Sequence, residues 1–240
     1  LGGQTVLIDE SGRAFGRKGY SVGSAKVAAN LLRKNCIANS TTLIRRECLL
    51  AAGGYRRAFH GVEDYDFWLR LSERWELDNL PQTIISRRIH DAQIGENRLV
   101  TQVLCALAAT AAARIRRGGG RDPLDGVTEI TREVLASIGV GPAQVQERLV
   151  RQLLGRARDN YDAGYIGTAL GNADAALRAS RGSPGYTRGA AKAHKARAFL
   201  LWSQGKRLPA AGAWIRSSGW YLRALAASLF GGRQGPPQGD

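Results

Sequence analysis

The chain of 240 residues predicts an α/β portion followed by an all-α helical one. Three observations carry that prediction. Short runs of apolar and β-branched residues alternate with helical periods as far as residue 100. Gly118-Gly119-Gly120 then interrupts the chain, and beyond it Ala, Leu and Arg recur at helical spacing. The organisation follows: 1–100 is the α/β portion, 101–120 a connecting helix and glycine-rich joint, 121–230 a helical accessory domain, and 231–240 a disordered tail.

Taken in order, Gln4–Asp9 reads as a strand and Asp9–Arg13 as the turn that sends the chain back. Ser24 is placed to cap a helix through Arg33 that buries Val27, Leu31 and Leu32. Ile37, Thr41, Thr42 and Ile44 make Cys36–Ile44 an extended segment. A short helix over Arg45–Ala52 ends at Gly53-Gly54, where glycine tolerates a left-handed backbone. From Asp64 the period is helical, with Asp64, Phe67, Trp68, Leu71 and Trp75 on one face. A strand over Thr83–His90 precedes a long helix, Glu96–Arg117. Helices are then predicted over Asp125–Ile138, Pro142–Ala163, Tyr165–Arg181, Tyr186–Gln204 and Leu208–Phe230. Small residues at 171, 173, 175 and 176 suit the close approach of a tetratricopeptide-type helical hairpin, although a single unit makes no array.

Composition narrows the function classes. The net charge is +15, but residues 1–100 carry only +4 of it and residues 101–240 carry +11, spread along helices rather than gathered in a tract. With no aromatic–basic recognition motif beside it, that charge does not predict a nucleic-acid partner. No uncharged apolar run reaches 18 residues, so no membrane-spanning helix is predicted. Cys36, Cys48 and Cys105 are scattered, odd in number and set among apolar residues, which predicts buried reduced thiols and a cytoplasmic setting, with the inner face of the membrane as an alternative. The chain opens without a signal-peptide pattern and contains no Met, which predicts that it starts partway through a longer reading frame.

The chemistry centres on His60-Gly61-Val62-Glu63-Asp64-Tyr65-Asp66-Phe67-Trp68. A carboxylate at a helix N-terminus beside a glycine turn is stabilised in its ionised form by the helix dipole and can act as a general base on a hydroxyl. The alternative reading makes Asp64 a cap and Glu63 a solvated acid. Gly53-Gly54 would let backbone approach a ligand, and Tyr55 and Trp68 either offer aromatic stacking faces or pack in the core. Arg88 carries a fork suited to phosphate, and His90 is either a metal ligand or a structural hydrogen-bonder.

Ile37–Arg46, Ala52-Gly53-Gly54-Tyr55, Gly61–Arg70 and Arg88-Ile89-His90, in that order and spacing, resemble the acceptor-side half of family-2 glycosyltransferases with the GT-A fold. The resemblance covers roughly residues 1–100 and implies a partial GT-A-like mixed sheet with helices. It implies an inverting transfer from a nucleotide-sugar donor to a carbohydrate or lipid-linked acceptor, with Asp64 as base and Glu63 in support. Gly53, Gly54, Tyr55, Trp68 and Arg88 become substrate contacts, and His90 a ligand to a divalent metal (Mn or Mg). The family's Asp-x-Asp metal motif and nucleotide-binding half would lie upstream, so the expectation is that this chain alone is inactive without that segment or a partner chain. Two rivals stand beside this reading. One is a non-catalytic acceptor-binding or helical interaction module. The other is a membrane-surface adaptor working through the basic, amphipathic C-terminus.

Overall fold

The computed structural model describes residues 1–90, 96–180 and 187–205. Two compact units divide the chain, Leu1–Val145 and Gln146–Asp240. The first continues well past the glycine joint, because Asp122 beyond that joint pairs with Arg56 and Arg116 before it.

In the first unit a three-stranded sheet has the order β2-β1-β3, from β1 (Gly2–Ile8), β2 (Ala14–Lys18) and β3 (Asn79–Arg88). The β1–β2 hairpin is antiparallel, with Val6 opposite Arg17, whereas β1 and β3 run parallel, with Val6 opposite Ser86. A parallel pair needs a long crossover. Here it is the whole of 19–78, with helices α1 (Ser24–Leu31), α2 (Arg46–Ala51) and α3 (Glu63–Leu71). Helix α4 (Glu96–Arg117) packs along α3, and the short α5 (Arg132–Ser137) packs on α4. This is the mixed α/β arrangement that the alternating sequence pattern implies, followed by helices.

Four local expectations change. Ser24 opens α1 but makes no side-chain cap; Gly23 stands at the cap with φ +96°. Residues 36–44 form a loop around a 3-10 turn at Asn39–Thr41, where the Thr41 and Thr42 hydroxyls bond nearby carbonyls in competition with a sheet ladder. Strand β3 starts at Asn79, four residues before Thr83. Residues 125–131 stay outside α5, whose cap is Thr131, its hydroxyl accepting from the Val134 N–H.

Helix α3 is buried nearly all round rather than on one face. Tyr65, Phe67, Trp68, Leu69 and Leu71 are each at most 2% exposed, and Asp66 is fully buried. Each such apolar side chain removed from water stabilises the fold by about 1.5–3 kcal/mol. Helix α4 reaches the length and hydropathy of a membrane-crossing segment between Arg98 and Arg117, yet 61% of that window is buried inside the protein. It is the central core helix of this unit, with Leu99, Val103, Ala108, Ala109, Ala112 and Ala113 at 0% exposure. Cys36, Cys48 and Cys105 are free and buried.

The second unit is helical, with α6 (Pro142–Asp162), α7 (Ile166–Ala179) and α8 (Thr187–Ser203). Ala157, Ala169, Ala173 and Leu200 bring the three together, with Tyr161, Leu170 and Ala196 packed against them. Ala173, Ala175 and Ala176 are buried as the helical-hairpin reading requires, whereas Gly171 faces outward. The predicted helix Leu208–Phe230 and the tail lie outside the described residues.

Candidate active site

The candidate site is assembled at the N-terminus of α3. Gly61 turns the chain into it with φ +80°, and its carbonyl accepts a hydrogen bond from Gln102 Nε2 of α4 at 3.2 Å. A Cβ at this glycine would lie 3.3 Å from the Gln102 side chain, so both backbone angle and space call for glycine. Glu63, Asp64 and Asp66 occupy the first turn and Arg70 the last, the polarity that a helix dipole favours.

Asp64 is held from two sides. Its Oδ1 accepts from the Tyr65 N–H at 2.7 Å, and its Oδ2 accepts from Asn35 Nδ2 at 3.0 Å. Asn35 is itself fixed, since its Oδ1 accepts from the Ile37 N–H at 3.1 Å. Burial raises the Asp64 carboxyl above the usual range; the Tyr65 and Asn35 hydrogen bonds pull it down, and the Glu63 charge pushes it up again. The phenols of Tyr20 and Tyr55 are raised chiefly by burial, with the Asp64 charge adding to the rise in both. Glu63 is half-buried, and its Oε2 is buried with no hydrogen-bond partner among the described residues.

Gly53 and Gly54 both have positive φ, +73° and +64°. They lead into Tyr55, which is 47% exposed, packs edge-on to Phe67 at 5.0 Å and donates its hydroxyl proton to Asn39 Oδ1 at 3.2 Å. This glycine loop is clamped to α3. Arg70 donates to the carbonyls of Ala52 and Gly54, and its Nε bonds Asp66 Oδ2 at 3.0 Å. Asp66 also receives Arg56, through Nε at 2.9 Å and through Nη2. Arg56 continues to Asp122 at 2.9 Å, and Arg116 bridges Asp122 to Glu73. Asp66 therefore serves two guanidiniums inside the protein and is turned to different partners from Asp64, despite the Asp-x-Asp spelling.

The remaining sequence candidates lie apart from this cluster. Trp68 is 1% exposed beside Phe67 and belongs to the core, the alternative to a stacking face. It lines an apolar cavity of ≈ 790 Å³ with Ile37, Leu43, Leu71 and Trp75, and its Nε1 has no hydrogen-bond partner among the described residues. Asp64 does not line that cavity. Arg88 Nη1 donates to the carbonyls of Asp9 and Glu10, both at 2.8 Å, and so braces the β1–β2 turn. His90 is exposed just beyond β3. Among the described residues no group of three or more His, Cys, Asp and Glu is gathered to hold a metal ion.

A model of the family described as glycosyltransferase like family 2 matches residues 3–115. That segment, just under half of the chain, is similar to glycosyltransferase like family 2. Within the matched segment lie nearly all of the sheet, α1 to α3 and nearly all of α4, and with them Asn35, Glu63 and Asp64. One curated relative, the O-antigen biosynthesis glycosyltransferase WbnJ of Escherichia coli, is 33% identical over 98 residues, 39% of this chain and 37% of the relative. The aligned region thus spans little more than a third of that relative's length. No solved structure matches the chain.

Asn35, Arg56 and Arg70 are members of this arrangement that the sequence did not single out. For Arg70 a signal exists, because it stands four residues after Asp66 on one helix face. For Asn35, which lies 29 residues before its partner, none does.

Proposed function

We propose that the chain takes part in the transfer of a sugar from a nucleotide-sugar donor to an acceptor hydroxyl, with Asp64 as general base and inversion at the anomeric carbon. The observation that carries this reading is the setting of Asp64 within the matched segment: a carboxylate at a helix N-terminus, oriented by Asn35 and raised in basicity by burial.

In this reading Asp64 takes the proton of the acceptor hydroxyl as that oxygen attacks the anomeric carbon. The new carbon–oxygen bond forms on one face while the bond to the nucleotide diphosphate breaks on the other, and the electron pair leaves with the diphosphate. Asn35 keeps the carboxylate aimed, and Glu63, with an unpartnered oxygen beside Asp64, receives a second acceptor hydroxyl. Tyr55 supplies an exposed ring edge at the rim, and Gly53-Gly54 keep side-chain bulk away from the acceptor. Given the relative's role in O-antigen biosynthesis, a glycan acceptor of that kind is the substrate class to try first.

The test is the anomeric configuration of the product made by the native protein, read from proton NMR coupling constants. Inversion relative to the donor supports a single displacement with Asp64 as base. Retention of configuration rules that mechanism out.

A further inference from the structure

Helix α8 presents an exposed stripe that the proposed reaction does not use. Lys192, Lys195, Phe199 and Trp202 stand at i, i+3, i+7 and i+10, one face of an α-helix. All four are exposed, Phe199 at 55% and Trp202 at 60%. Phe199 and Trp202 are the exposed large apolar side chains among the described residues of the second unit. The other side of the same helix is buried, with Ala190, Ala193, Ala198, Leu200 and Leu201 at 5% or less. Phe199 is held in place by the edge of the Tyr161 ring, 5.0 Å away.

Charge completes the pattern. Helix α8 carries Arg188, Lys192, Lys195 and Arg197 and no acidic residue. Arg197 is tied to Asp174 of α7 at 2.5 Å, and Lys192 and Lys195 are the cations on the exposed stripe. Residues 146–240 hold 15 Lys and Arg against five Asp and Glu, a net charge of +10.

We propose that this face of α8 docks the protein on an anionic lipid surface, with Phe199 and Trp202 at the headgroup–acyl boundary and Lys192 and Lys195 on headgroup phosphates. Two lysines followed by two aromatic rings along one exposed helix face match an interfacial helix, in which rings bury apolar area while long cationic stems reach anionic headgroups. The charge excess spread over the unit adds attraction to an extended anionic surface. Single-stranded nucleic acid calls instead for a basic groove with stacking platforms, and a single exposed helix face provides no groove.

The test is co-sedimentation of the full chain with vesicles of phosphatidylcholine alone, and with vesicles containing one part phosphatidylglycerol to two of phosphatidylcholine. Binding is expected to the mixed vesicles only and to weaken with added salt. Phe199→Ser with Trp202→Ser, and separately Lys192→Glu with Lys195→Glu, are each expected to lower partitioning roughly tenfold or more. Arg151→Glu with Arg158→Glu makes the same change in charge on exposed positions of α6 and is expected to lose much less. Far-UV circular dichroism verifies that every variant is folded. The proposal is overturned if the stripe variants bind like wild type, or if the α6 variant loses as much as they do. It is equally overturned if the protein ignores the mixed vesicles and binds a single-stranded oligonucleotide through this stripe.

Discussion

Asn35 donates a hydrogen bond from Nδ2 to Asp64 Oδ2 at 3.0 Å, joining the loop after α1 to the first turn of α3. That bond favours the ionised carboxylate, whereas burial of Asp64 opposes it. With Asp64 in the proposed role of base, which must be ionised to work, activity should rise as the pH rises through its pKa. Asn35→Ala removes a stabilising contact to the charged form and raises that pKa further. The acidic limb of the kcat/KM profile should move to higher pH, by about a tenfold change in proton affinity. A carbon-13 titration of the Asp64 carboxyl checks the same shift without an assay of transfer.

Asp66 is fully buried between Arg56 and Arg70, so Asp66→Ala leaves two guanidiniums without their shared carboxylate. Breaking a buried ion pair in this way should cost about 3–5 kcal/mol, read as a lower urea midpoint. Arg70→Lys keeps the charge but cannot reproduce a fork that bonds Asp66 and two loop carbonyls together. The Gly53-Gly54 loop should then open more often, with faster amide hydrogen exchange at residues 53–56 while the core of α4 stays protected.

Much of this arrangement could be read in the chain before any coordinates. Glycine at 53, 54 and 61 marks turns that have positive φ, and the Glu63-Asp64 pair marks a helix start. What could not be read depends on contacts distant in sequence. Asn35 reaches Asp64 only because a loop folds back on α3, and no local pattern encodes it. Trp68 had the right period for either a stacking face or the core, and burial of α3 on nearly all sides decided for the core. The glycine joint at 118–120 looked like a boundary, but ion pairs from Asp122 to Arg56 and Arg116 bind the following segment to the first unit.

The β1–β2 turn has its own pH signature. The Ser11 hydroxyl, ahead of Arg13, holds the Asp9 carboxyl down to about 2 from 3.8. A lowered carboxyl contributes stability that is present above the unfolded value and is lost as the pH falls toward the folded one. Amide exchange at Gly12 and Arg13 should therefore accelerate between pH 4 and pH 2 beyond its intrinsic trend. Asp9→Asn should show faster exchange already at neutral pH and no further acid-induced step.

Burial pushes the Cys105 thiol up to about 11, and its Sγ faces the Ala58 carbonyl at 3.6 Å. Alkylation at neutral pH should be slower than that of a free thiol by at least about a hundredfold, since the thiolate is the reactive form. Denaturant should abolish the difference. Rapid labelling of Cys105 in the folded protein would show that α4 is not packed as described.

The central claim is that Asp64 is the base of a glycosyl transfer. The direct measurement is acceptor-dependent release of nucleotide from a nucleotide-sugar donor by the native protein and by Asp64→Asn, with nucleotide affinity measured alongside. The account predicts a fall in turnover of about a hundredfold or more with affinity nearly unchanged. Wild-type turnover in Asp64→Asn would contradict it.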